Sequence, residues 1–135
     1  MVHGVSNLPQ LVMGPMVRRA DSERVCFQFV TTRPCHYRIE FSGVEIFSSL
    51  ESIQLGQHLY LNFINVIPVS GQFAVDSLIY YSLHDEEKSL DLSSYCYERA
   101  ESPAFVIPNR LDRILHGSCR NPHHPAKDSL VAADK

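Results

Sequence analysis

Hydrophobic and polar residues alternate with a period of two along much of the chain. In residues 36–41, Tyr37, Ile39 and Phe41 point one way, and His36, Arg38 and Glu40 the other. That is the pattern of a half-buried strand. In residues 25–32, Val25, Phe27 and Phe29 share one face and Cys26, Gln28 and Val30 the other. The second face is only mildly polar, which predicts a strand in the middle of a sheet. Thr32-Arg33-Pro34-Cys35 separates the two. Pro34 lacks an amide donor and fixes its own φ, so a hairpin or a sheet-crossing corner is expected there.

Upstream, residues 11–18 are apolar but interrupted by Gly14-Pro15. Proline in a strand belongs at an edge or a bulge, so the spacing predicts an edge strand with a bulge. Residues 44–50 read as a short strand or a turn. Residues 58–67 are aromatic and β-branched up to Pro68, Val69-Ser70-Gly71 turns, and residues 79–83 form another strand. Short strands separated by Gly/Pro/Ser turns predict a mainly β protein, an immunoglobulin/fibronectin-like β-sandwich. The chain has no tryptophan, so a Cys…Trp…Cys signature is absent and the expectation rests on pattern alone.

Residues 85–103 change character. Asp85, Glu86, Glu87, Lys88, Asp91, Glu98, Arg99 and Glu101 give them an acidic surplus. They read equally as a solvated linker or as an ordinary exposed loop. The expected organisation is therefore a sandwich domain over 1–103, ending in that acidic linker, and a second unit over 104–135. The second unit starts with apolar runs at 104–107 and 110–115, tightens at His116-Gly117-Ser118-Cys119-Arg120, and breaks at Asn121-Pro122. Pro125 suits the first turn of a helix, and Ala126, Leu130 and Ala133 recur at helical spacing after it. One strand and a short helix open an α/β layer, but no partner strands follow. The expectation is an incomplete, truncated α/β domain.

The 135 residues carry a net charge of −3, with 44% hydrophobic and 20% charged side chains. This is a globular composition. No basic excess invites nucleic acid or an anionic membrane surface. Arg18 and Arg19 follow the apolar N-terminal stretch instead of preceding it, unlike a signal peptide. No apolar run is long enough for a bilayer span, and a cytoplasmic location is expected. Cys26, Cys35, Cys96 and Cys119 lack the spacing of a disulfide framework, although Cys26 and Cys35 could face each other on neighbouring strands. Free thiols are the default expectation.

The sharpest chemical constellation is His116, Cys119, His123 and His124. Thiolate and imidazole ligands suit zinc or iron, but the spacing matches none of the paired-cysteine zinc patterns. A small zinc-binding protein using the His116–His124 cluster is thus one alternative, and a free-standing sandwich interaction module is another. Cys119 at a strand-to-helix turn could have a lowered pKa, with His116 or His123 as base. Arg120 follows it directly, however, so no loop between the two can wrap an anion. No phosphate-binding, dinucleotide or nucleophile-elbow motif occurs. The paired tyrosines Tyr80-Tyr81, without surrounding cations, read as packing rather than a base-stacking platform.

Leu111-Asp-Arg-Ile-Leu-His-Gly-Ser-Cys-Arg-Asn-Pro-His-His, followed by Asp128-Ser-Leu-Val-Ala-Ala-Asp134, resembles the start of the catalytic domain in PhoD-like alkaline phosphatases and phosphodiesterases. Gly14-Pro15-Met16-Val17-Arg18-Arg19 and the segment from Asp21 through Thr32 are similar to that family's first two strands. The resemblance implies an N-terminal sandwich ahead of a metallophosphatase domain. It implies phosphate-ester hydrolysis at a multi-metal centre, with iron and calcium in the complete enzyme. It assigns Cys119 to the position of an iron ligand. The family draws most of its metal ligands from later strand ends, beyond what fifteen residues after Arg120 can supply. The chain alone is therefore expected to be inactive and to need no cofactor of its own. Its expected partner is a catalytic domain supplied in trans, with neither nucleic acid nor membrane.

Overall fold

The computed structural model describes residues 8–96 and 102–114. The described chain is mainly β, in antiparallel sheets. Strands β1 (Leu11–Ala20), β2 (Val25–Thr31), β4 (Ile46–Gly56) and β5 (Leu59–Pro68) make one sheet in the order β1-β2-β5-β4. Strands β3 (Arg38–Phe41), β6 (Leu78–His84) and β7 (Ala104–Val106) make the other, in the order β3-β6-β7.

The period-two pattern sets which faces meet. Val25, Phe27 and Phe29 of β2 are fully buried, as are Ile64 and Val66 on β5. The smaller sheet answers with Ile39 and Phe41 on β3 and Ile79, Tyr81 and Leu83 on β6. These side chains form one cluster. Phe27 is its pivot, with ring centroids 4.9 Å from Tyr81, 5.9 Å from Phe105 and 6.0 Å from Phe41. Each such ring stabilises the fold by roughly 1.5–3 kcal/mol through burial alone. Exposed ion pairs such as Arg19–Asp21 contribute about 0–1 kcal/mol, so the aromatic layer dominates.

β1 is the expected edge strand, and its register against β2 slips three times. One cause is Gly14, which takes φ +91°. A Cβ there would stand 2.8 Å from the Gln28 carbonyl oxygen and 3.1 Å from Phe29 Cα. β2 pairs on both sides, as the near-apolar character of its two faces predicts. Residues 32–37 carry the chain from the larger sheet to the smaller one, so the Pro34 segment is a corner and not a hairpin.

The structure refines the sequence expectation in several places. Residues 44–50 belong to β4, which is longer than a short strand or turn and runs to Gly56. Its serines and glutamate weakened the pattern because the strand is exposed almost throughout.

Residues 85–96 form the exposed loop of the two expected readings, but the loop is anchored at a few points. Asp85 and Leu92 are buried, the Leu90 amide donates to the Leu83 carbonyl, and the Tyr95 hydroxyl donates to the Leu11 carbonyl at 2.6 Å.

Residues 104–107, expected beyond a boundary at 103, sit in the sheet. β7 pairs with β6 through Leu78–Val106, Ile79–Phe105 and Tyr80–Ala104, and Ile107 is buried in the core. An apolar run this short pairs wherever a strand edge and a hydrophobic gap are open to it. Residues 110–114, expected to start the α/β strand, carry no strand, and Leu111 and Ile114 are exposed. The expected helix after Pro125 lies outside the described residues.

Candidate functional site

Cys119, His116, Arg120, His123 and His124 all lie outside the described residues. The iron-ligand assignment of Cys119 and the zinc alternative thus have no geometry to set against them. Among the described residues, no group of three or more His, Cys, Asp or Glu side chains could hold a metal ion. The described cysteines, Cys26, Cys35 and Cys96, are free. Cys26 does not face Cys35. Its register partner on β5 is Asn65, whose amide oxygen accepts from the thiol.

Three polar clusters stand out among the described residues. The first is centred on Asp85, at the end of β6. Its Oδ1 accepts from the amides of Glu87 and Lys88, both at 2.8 Å, and its Oδ2 accepts from Gln10 Nε2 at 3.2 Å. Arg33 approaches the same carboxylate at 3.7 Å. The amides of Lys88 and Glu87 hold the Asp85 carboxyl below its ordinary range. A cleft of about 190 Å³ opens beside it, lined by Arg33, Pro34, Cys35, Asp85, Glu86 and Glu87. Every oxygen of Asp85 is occupied by the protein itself, so the carboxylate ties a turn instead of serving a ligand.

The second cluster lies on the outer face of the smaller sheet. His84 Nε2 is 2.8 Å from Ser82 Oγ and 3.2 Å from Glu40 Oε2. Serine, histidine and glutamate in contact suggest a nucleophile relay. A relay needs the serine on one ring nitrogen and the acid on the other. Here both partners meet the same nitrogen, so the imidazole cannot take the serine proton while the carboxylate orients it. The cluster is a surface hydrogen-bond group. Glu40 and Ser82 are opposite each other in the β3–β6 register, and that pairing creates the contact.

The third is buried at Asn62 on β5. Its amide nitrogen donates to Thr31 Oγ1 at 3.0 Å and to the Tyr60 carbonyl at 3.3 Å, and its oxygen accepts from Ser52 Oγ at 2.7 Å. The group pins β2, β5 and β4 together and leaves no buried side-chain polar atom unpaired among the described residues. Its role is structural.

The signal for the Asp85 turn was present in the sequence. Asp-x-x-x turns in which the carboxylate caps the amides two and three residues on favour aspartate for that reason. Asp21 makes the same turn, accepting from the amides of Glu23 and Arg24 at 2.9 Å. The Ser82–His84–Glu40 contact had no such signal, because Glu40 is remote in sequence and only the strand register brings it near.

No protein-family model, curated protein or solved structure matches the chain. No helix of the described residues is long and apolar enough to cross a membrane.

Proposed function

We propose that the chain is a non-catalytic N-terminal sandwich domain of a PhoD-like metal-dependent phosphatase. The order β1-β2-β5-β4 facing β3-β6-β7 supports an immunoglobulin-type sandwich, because four-plus-three with this connectivity is the constant-type arrangement. The family reading rests on the front motif from Gly14 to Thr32 and on the His116-Gly-Ser-Cys119-Arg120 segment.

The observation that carries the non-catalytic reading is the state of the described polar groups. Asp85, Asn62 and His84 are each committed to neighbours in the same chain. The front motif likewise has a structural use. Gly14 permits β1 to lie against Gln28 and Phe29, and Asp21 turns the chain from β1 into β2.

In a complete enzyme of this class, metal ions activate an oxygen nucleophile and neutralise phosphate charge. Cys119 would be one ligand, and the remaining ligands would come from the partner domain. The work of this chain is then to fold first and to present residues 108–135 to that domain. The coding DNA downstream of Lys135 tests the family half directly. A frame continuing into strand ends rich in aspartate and histidine supports it. A frame encoding an unrelated domain overturns it.

A further inference from the structure

The least protected part of the structure is β4. It is an edge strand, bonded to β5 on one side, and no other described backbone group bonds to it. All its residues except Ile46 and Leu50, which pack against the core, are exposed, Ser48, Ser52 and Gln54 on the inward-pointing side among them. Phe47 is 60% exposed and Ile53 45% exposed. Natural edges are usually blunted by lysine, proline, bulges or short length. β4 has no lysine or proline, spans eleven residues, and keeps an unbroken register with β5 from Ile46 to Gln54. Its sole charged side chain is Glu51.

We propose that β4 pairs antiparallel with β4 of a second copy of this chain, about a twofold axis at Leu50. The sequence is self-complementary about that residue. Phe47 falls opposite Ile53 of the partner subunit, and Ile53 opposite Phe47 of the partner subunit. Ser49 faces Glu51 of the partner subunit, a hydroxyl against a carboxylate. Leu50 meets Leu50 of the partner subunit, and Ser48 meets Ser52 of the partner subunit. Phe47, Ser49, Glu51 and Ile53 all lie on the outer face, since their β5 partners Ile67, Asn65, Phe63 and Leu61 alternate with the buried Ile64 and Val66.

Neighbouring registers fail on charge and matching. An axis at Glu51 sets two carboxylates directly opposite each other, which is destabilising. An axis at Ser52 sets Glu51 against Ile53 and Phe47 against Gln57. The axis at Leu50 makes an isologous interface in which Phe47 and Ile53, two of the three exposed apolar side chains of β4, face each other, while Leu55 falls opposite Glu45 of the partner subunit. It joins the two four-stranded sheets into one continuous sheet. An edge-to-edge contact buries little area, so the dimer is weak and concentration-dependent. The proposal does not depend on the phosphatase reading.

The test is sedimentation velocity over a concentration series reaching the hundred-micromolar range, on the full chain and three variants. Wild type is expected to pass from monomer to dimer. Phe47→Lys and Ile53→Glu change exposed side chains, so melting curves should be unmoved while association weakens by about tenfold or more each. The double variant Phe47→Lys/Ile53→Glu is expected to restore the dimer, because the register sets each new lysine opposite a new glutamate. Within one chain the two positions are too far apart along the strand to pair. A wild type that stays monomeric throughout overturns the proposal. So does a dimer that survives Phe47→Lys, or a double variant no better than the singles.

Discussion

Phe27 and Tyr81, one from each sheet, pack with ring centroids 4.9 Å apart and planes tilted by 55°, and this contact joins the two layers at their centre. Phe27 also touches Phe41 and Phe105. Replacing it with alanine should cost roughly 3–5 kcal/mol, the range for deleting a buried aromatic side chain. Equilibrium urea unfolding measures this. A loss below about 1 kcal/mol would show that the sheets do not depend on that ring.

Tyr81 also makes the fold sensitive to alkali. Burial pushes its phenol up to about 12, with Cys96 adding to the effect. The folded-state value is raised above the unfolded value of 10.0. The associated stability is therefore intact below pH 10 and is lost as the pH rises towards 12. The difference in melting temperature between wild type and Tyr81→Phe should shift in favour of the variant across that window. A difference that stays constant with pH would contradict the assignment.

Asp85 has the opposite sign. Its folded value lies below 3.8, held there by the Lys88 and Glu87 amides. Its contribution is present above the unfolded value and is lost as the pH falls through the folded one. Wild type should therefore lead Asp85→Asn at neutral pH, and the lead should shrink as the pH falls below 3.8. Chemical denaturation at a series of pH values checks this, and a lead unchanged by acid would sink it.

Gly14 and Gly43 separate two costs. Both have positive φ, +91° and +74°. Only Gly14 is crowded, by the Gln28 carbonyl at 2.8 Å, whereas nothing lies within 4 Å of a Cβ at Gly43. Gly43→Ala should cost about 1–2 kcal/mol, the penalty of the left-handed region. Gly14→Ala should cost more, because β1 must also move off β2. Equal costs would mean that β1 yields freely.

The strands with one face fully in the core were legible in the sequence. Val25-Phe27-Phe29 and Tyr37-Ile39-Phe41 announce themselves because burial demands every second residue. The edge position of β1 was legible from Gly14-Pro15. β4 was only half legible, since an exposed edge strand has no core to impose alternation, and its Ser-Ser-Leu-Glu-Ser run resembles a turn. Residues 85–96 were half legible, since most of them are the exposed loop that charge suggested and only the anchoring was hidden. Asp85 is buried with its charge satisfied by amides, while Leu90 and Leu92 pack on the core.

The place of β7 was hidden for a different reason. Ala104-Phe105-Val106 is equally suited to starting one layer or finishing another, and only its pairing with β6 decides. Truncation after Pro103 removes Phe105 and Ile107 from the core and should unfold the domain or lower its melting point sharply. A truncated chain as stable as the parent, by thermal melting, would show that β7 is an appendage. Of the site expected from the sequence, Cys119 and its neighbouring histidines lie beyond the described residues.

The central proposal makes this chain a non-catalytic part of a metal-dependent phosphatase. The most direct measurement is hydrolysis of p-nitrophenyl phosphate and its bis ester by the purified chain, with iron and calcium supplied. The account predicts no turnover above the metal-only blank. Turnover that follows the chain through purification and disappears in Cys119→Ser would contradict it.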